Sequence, residues 1–202
     1  MICYASRTGS SRNLAGLRAR GWRILVSATG VWRHEGFPYA IDNGAWTAHQ
    51  RGVPFDAEKF IGLVDAMGAD ADWIVLPDIV AGGLPSLAFS LSWTDRVPGR
   101  QLLAVQDGMT PADVAEHAGP HRGIFVGGST EWKLRTMLEW GAFCRGAGAY
   151  LHIGRVNSVK RIALCVASGA NSIDGTSASR FSVTTAKLTN AARQDDFLVG
   201  IA

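Results

Sequence analysis

Short apolar runs rich in β-branched residues alternate with longer amphipathic stretches along the whole chain, and this alternation restricts the fold more than any other feature. The runs are MICYAS (1–6), RILVSA (23–28), PYAID (38–42), WIVLPD (73–78), QLLAVQ (101–106), GIFVGG (123–128), YLHIG (150–154) and NSIDG (171–175), which makes eight candidate strands. Helical patterns lie between most of them: SSRNLAGLRARG, DAEKFIGLVDAMG, LPSLAFSLSW, TPADVAEHAG, STEWKLRTMLEWGAFCRGAG, SVKRIALCVASG and, last, FSVTTAKLTNAARQ. End signals accompany several, with Asp56 and Thr110 ahead of a first turn, Pro111 at a first helical position, and Gly68, Gly119 and Gly169 at exits. Eight strand–helix units in 202 residues, about 25 residues each, point to parallel strands buried on both faces. A closed (β/α)8 TIM barrel is the natural count. Such barrels usually run to ~250 residues with a floor near ~200, so this is a minimal barrel with short loops, a single domain over residues 1–202. The segment 29–38 cannot hold a helix between the second and third strands, and a doubly wound open sheet is the alternative.

Composition removes several classes. With 47% hydrophobic and 18% charged residues the chain is globular rather than disordered. No apolar stretch approaches the ~18 to 20 residues a bilayer requires, and MICYASRTGSSR lacks the apolar core of a signal peptide. A cytoplasmic location without a membrane partner is the expectation. Cys3, Cys144 and Cys165 are an odd number at wide spacing, which fits neither a disulfide framework nor a zinc motif, so no metal is expected. The net charge of +3 is uneven: residues 1–34 hold Arg7, Arg12, Arg18, Arg20, Arg23 and Arg33 with no acid, which leaves 14 basic against 17 acidic groups elsewhere. A basic amino-terminal stretch suits an anionic partner, and an arginine-rich solvated surface is the plainer alternative.

Catalytic groups of a parallel barrel sit where strands end and βα loops begin. PYAID ends at Asp42, WIVLPD at Asp78, QLLAVQ at Gln106 followed by Asp107, and NSIDG at Asp174, all residues that strand propensity does not select. One such Asp is usually the cap of the next helix; four at equivalent places converge on one rim. Asp42 is followed by Asn43, Gly44, Ala45 and the flat Trp46, and Asp174 precedes a small-residue loop ending at Arg180. Gly127 and Gly128, before a helix starting near Ser129, expose amide hydrogens to an oxygen or phosphate. Two rim carboxylates suit glycosidic chemistry, one attacking the anomeric carbon and the other protonating the leaving group. A third carboxylate that only accepts hydrogen bonds suits a donor-rich edge such as guanine N1 and N2.

In content and in order these segments resemble the tRNA-guanine transglycosylase superfamily, which exchanges guanine for a 7-deazaguanine on a (β/α)8 barrel. Asp42-Asn43-Gly44-Ala45-Trp46 is similar to the family's Asp-Ser-Gly-Gly-aromatic segment, Asp78 to its Asp at the end of a middle strand, and Val105-Gln106-Asp107-Gly108 to its Val-Gln-Gly. Gly123-Ile124-Phe125-Val126-Gly127 looks like Gly-Leu-Ala-Val-Gly, and Tyr150-Leu151-His152-Ile153-Gly154 looks like Tyr-Leu-Met-Gly. Gly169-Ala170-Asn171-Ser172-Ile173-Asp174-Gly175 resembles Gly-Val-Asp-Met-Phe-Asp-Cys, with Ala178-Ser179-Arg180 where the family has Pro-Thr-Arg.

The resemblance spans about residues 38–181 and implies roles. Asp174 is the nucleophile and Asp42 the general acid/base. Asp78 and Gln106 read the base edge, Gln106 donating to O6. Trp46 and Ile153 sandwich the base, Asn43 and Gly128 belong to the same pocket, and the Gly127 loop approaches the base carbonyl. Arg180 holds the nucleic-acid strand, with Arg7 and Arg12 of the basic stretch alongside. The tRNA enzymes carry a zinc subdomain of three Cys and one His, and nothing here has that spacing. The chain therefore looks most like the deazaguanine DNA transglycosylases of bacteria and phages. A 7-deazaguanine base is then the co-substrate, no other cofactor is implied, and the partner is DNA in the cytoplasm, the host's if the chain is phage-encoded. The alternatives are exchange on tRNA, hydrolysis of the N-glycosidic bond, and a non-catalytic nucleic-acid-binding subunit.

Overall fold

Side chains alternate between the two faces of each strand, both of them largely buried, and that arrangement shapes the structure. The computed structural model describes residues 1–6, 10–180 and 182–193. Eight parallel strands, β1 (Ile2–Ser6), β2 (Arg23–Ser27), β3 (Tyr39–Asp42), β4 (Ile74–Val75), β5 (Gln101–Val105), β6 (Arg122–Val126), β7 (Leu151–Ile153) and β8 (Ser172–Gly175), pair in chain order. β8 returns to β1, with Tyr4 beside Asp174, so the barrel is closed and the open sheet is excluded. All eight strands lie within the sequence-predicted runs, give or take a residue. β4 is the shortest because Pro77 has no N–H to extend the ladder.

One face of the strands points into the barrel. Tyr4, Leu25, Ala40, Trp73, Val75, Leu102 and Ala104 form that inner cluster, with Phe125 and Tyr150 against it. The other face, including Ile24, Ile41, Ile74, Leu103, Ile124, Leu151, Ile153 and Ile173, packs under the helices in a larger outer core. The amino-terminal end of the barrel is plugged by Tyr4, whose hydroxyl donates to Asp72 Oδ2 at 2.8 Å, and by Arg23, which donates to Asp72 Oδ1 at 2.5 Å.

The helices are α1 (Ser11–Arg18), α2 (Ala45–Gln50), α3 (Ala57–Met67), α4 (Gly83–Leu91), α5 (Pro111–Val114), α6 (Thr130–Ala147), α7 (Val159–Ser168), α8 (Ser177–Arg180) and α9 (Ser182–Ala192). Asp56 caps α3, and Thr110 with Asp113 forms a capping box on α5 with Pro111 in its first turn. Gly169 ends α7 in the left-handed region at φ 76°. Gly68 instead stays right-handed and leads into a 3-10 turn, and α5 stops at Val114, well before Gly119. No helix forms over 29–38, as expected, whereas the small-residue loop before Arg180 is in fact the helical turn α8.

The basic amino-terminal stretch does not form one face. α1 runs antiparallel to β1, so Arg12 stands at its start, on the side of the strands' carboxyl ends, while Arg18 and Arg20 are carried to the opposite end. Arg18 there donates to the Glu35 carbonyl at 2.7 Å and lies over the Phe37 ring. Arg23 opens β2 on Asp72. Arg7 lies outside the described residues.

Candidate active site

Period-two alternation carries Ser27, Asp42, Gln106, Gly127, Gly154 and Asp174 to the inner face at the carboxyl ends of their strands, above the apolar inner cluster. A cavity of about 400 Å³ opens over the β3–β7 half of this rim. Of the expected residues it is lined by Asn43, Trp46, Asp78, Gln106, Gly127 and Gly128, and its floor is Val75, Ala104 and Phe125. Asp42, on β3, and Asp174, on β8, flank the remaining side, where β1 and β2 end in Ser6 and Ser27.

Asp78 is the polar wall of the cavity. Its Oδ1 accepts from Asn43 Nδ2 at 2.8 Å and its Oδ2 from Gln106 Nε2, also at 2.8 Å. Burial pushes its carboxyl up to about 6; the Asn43 hydrogen bond works against that shift and the Asp42 charge adds to it. Asn43 is itself tied to the Leu76 carbonyl at 2.7 Å and accepts from the Ala45 amide at 2.8 Å. Gln106 donates additionally to the Ile79 carbonyl at 3.0 Å, so both of its amide hydrogens are engaged. It therefore orients Asp78 and is not the donor to a base O6 that the sequence suggested.

Asp42 accepts from the Gly44 amide at 2.7 Å and the Ser27 hydroxyl at 3.2 Å through the same oxygen. Burial raises its pKa above the usual carboxylate range against both bonds. Gly44 has φ 84°, and a Cβ there would meet Thr29 Cγ2 at 2.9 Å, so glycine is required where β3 turns into α2. Asp174 is 9% exposed and accepts from the Arg155 amide at 2.5 Å on Oδ1. Burial pushes it up to about 6, opposed by that amide and by Lys133, with Asp42 adding to the shift.

Two expectations fail on geometry. Ile153 is fully buried in the outer core, because in β7 the inward places fall to His152 and Gly154. Phe125, stacked on His152 at 4.8 Å, is the flat apolar surface of the cavity instead. The Gly127 amide donates to the Val105 carbonyl at 3.0 Å, and Asp107 occupies the start of α6, accepting from the Ser129 amide at 2.6 Å and hydroxyl at 2.5 Å. A carboxylate of the chain itself takes the place of the expected outside oxygen. The side chain of Arg180 lies outside the described residues, and Arg12 is exposed on α1.

Arg155 and Lys133 are functional candidates that sequence reasoning missed. Arg155 has φ 59°, donates to the Gly128 carbonyl and holds its guanidinium 4.3 Å from the centre of the Trp46 ring, across the cavity mouth. One face of Trp46 is thereby covered. Lys133, 5% exposed on α6, donates from Nζ to the Gly154 carbonyl, and burial lowers its pKa to about 8. A lysine among the buried residues of an amphipathic helix, with Met137 and Gly141 four and eight residues on, is the signal that marks it.

Among the described residues, no group of three or more His, Cys, Asp or Glu side chains is gathered as a metal site, and no helix is long and apolar enough to cross a membrane. No protein-family model and no curated protein matches the sequence.

Proposed function

We propose that this chain is a base-exchanging transglycosylase that replaces guanine in DNA by a 7-deazaguanine base through a covalent Asp174–sugar intermediate. The observation that carries this reading is the placement of three carboxylates. Asp78 faces a cavity sized for a purine and some of its sugar, while Asp42 and Asp174 flank the side on which the anomeric carbon would lie. Asp78, fixed by Asn43 and Gln106, accepts from guanine N1–H and N2–H. The ring rests on Phe125, and Arg155 and Trp46 border its entry.

In the first half-reaction the Asp174 carboxylate attacks C1′ and the C1′–N9 bond breaks. The departing guanine takes a proton from Asp42, whose burial favours the protonated form. In the second, the deazaguanine gives its N9 proton to Asp42, N9 attacks C1′, and Asp174 leaves as the carboxylate. The target base must leave the stack first, which costs a few kcal/mol in a duplex and less in a single strand. DNA is taken as the substrate, with tRNA as its alternative. A cytoplasmic site of action fits such a substrate. Phosphates on this side would meet exposed Arg12, so binding weakens as salt rises.

The experiment offers DNA and tRNA side by side with labelled deazaguanine, digests each to nucleosides, and reads incorporation by mass spectrometry. Incorporation into DNA by wild type and none by Asp174→Ala is the expected result. Incorporation into tRNA alone would move the substrate; release of guanine without incorporation would make the chain a hydrolase. Binding without either would make it a non-catalytic subunit.

A further inference from the structure

Lys133 has no part in the steps above, yet its surroundings are built. A lysine with 5% of its surface exposed has given up most of its hydration, and among the described residues its Nζ recovers a partner at the Gly154 carbonyl, at the end of β7. The peptide unit that carries this carbonyl also carries the Arg155 N–H, which donates to Asp174 Oδ1 at 2.5 Å and reaches Oδ2 at 3.4 Å. A trans peptide is planar and its C=O and N–H point in opposite directions. One rigid amide therefore lies between an ammonium and a carboxylate, carbonyl toward the cation and N–H toward the anion. Hydrogen bonds in such a chain polarise one another, so the cation makes the N–H a better donor.

The backbone is committed to this arrangement. Arg155 sits at φ 59°, a left-handed conformation that non-glycine residues rarely adopt, and its N–H is aimed at Asp174. Its guanidinium is directed elsewhere, to the Gly128 carbonyl and the Trp46 ring.

We propose that Lys133 is a positioning residue for Asp174: through the Gly154–Arg155 peptide it fixes the carboxyl group in place and favours its anionic form. The proposal rests on the preceding reading only in taking Asp174 as a group that must be an anion to act. Among the described residues, the titratable groups facing Asp174 are Lys133 from α6, Arg155 from the β7–α7 loop and Asp42 from β3; those facing Lys133 are Asp174, Arg155, and Arg161 and Cys165 of α7. His152, buried beside them, is kept neutral by burial and by Lys133 itself. Burial drives Asp174 toward the neutral form, and the Arg155 amide and Lys133 are the first two influences opposing it.

The test titrates Asp174 by carboxyl ¹³C resonance in the wild-type chain, in Lys133→Met and in Lys133→Arg, with thermal melts to verify folding. Asp174 is expected to titrate on the order of one pKa unit higher in Lys133→Met, with Lys133→Arg closer to wild type. An unchanged Asp174 titration in Lys133→Met overturns the proposal. A second readout needs no variant: in the wild-type chain the Arg155 amide resonance should follow both the Asp174 and the Lys133 titrations, and a response to Asp174 alone overturns it equally. Base exchange is scored separately on DNA. A shifted Asp174 in a protein that exchanges no base supports the relay and removes the transglycosylase reading, so the two fail distinguishably.

Discussion

Replacing Asp174 with Asn should stabilise the protein while it abolishes exchange. Asn keeps an oxygen for the Arg155 N–H, which now bonds Oδ1 at 2.5 Å, and it removes a charge held at 9% exposure. The carboxyl is pushed from 3.8 to about 6, and at about 1.36 kcal/mol per pKa unit this represents about 3 kcal/mol of folding free energy lost at neutral pH. Lys133 loses its anion in the variant, which offsets part of the gain, so a net stabilisation of roughly 1 to 3 kcal/mol is expected. The sign follows from the raised folded-state pKa. Below 3.8 the group is protonated in both states and costs nothing; as pH rises toward 6 the unfolded chain releases its proton first and the folded state falls behind. The stability gap between Asp174→Asn and wild type should thus be small in acid, widen between pH 3.8 and 6, and stay level to neutrality. Urea denaturation of both proteins at a series of pH values measures it. A variant no more stable than wild type at neutrality, or a gap that ignores pH, would refute the claim that Asp174 is a carboxylate held against desolvation.

Three further outcomes follow from the geometry. In Gly154→Ala the new Cβ would stand 2.7 Å from Phe125 and 3.6 Å from Asp174 Oδ1, so exchange and base binding should fall at least tenfold while circular dichroism stays native; unchanged binding would place the base elsewhere. In Gly141→Ala the Cβ would fall 1.9 Å from the Ser168 carbonyl, prising α6 from α7 at a cost of about 1–3 kcal/mol in denaturant midpoint analysis, with no such loss from Gly146→Ala, where the space is open. The exchange rate should rise with pH up to about 6 as Asp174 ionises, an apparent value that belongs to its coupling with Asp42; a rate that is flat across this acid limb would count against Asp174 as nucleophile.

Strand number and position were legible because each apolar run must be buried on both faces and is bounded by glycine or a polar cap, as at Asp42 and Gly175. α2 was not, since AWTAHQ is too short for a helical period to show, and α8 was not, since Ser-Ala-Ser-Arg carries no apolar stripe. The rim residues Asp42, Gln106 and Asp174 were readable as polar ends of apolar strands. Motif order does not carry strand parity: His152 and Gly154 take the inner face of β7 and leave Ile153 outside. Gly127 and Gln106 keep their places, but their hydrogens go to Val105, Asp78 and Ile79, pairings that depend on neighbouring strands distant in sequence. Arg155 acts through a positive φ and a ring 109 positions earlier in the chain, for which a linear sequence offers no sign.

The most direct measurement is the intact-protein mass of the wild-type chain quenched in acid after mixing with a short guanine-containing DNA strand, before and after a 7-deazaguanine base is added. A protein–DNA adduct that has lost guanine, mapped by proteolysis to Asp174 and consumed when the deazaguanine is added, is the expected result. Exchange of the base with no adduct, or an adduct on another residue, would contradict the covalent Asp174 mechanism.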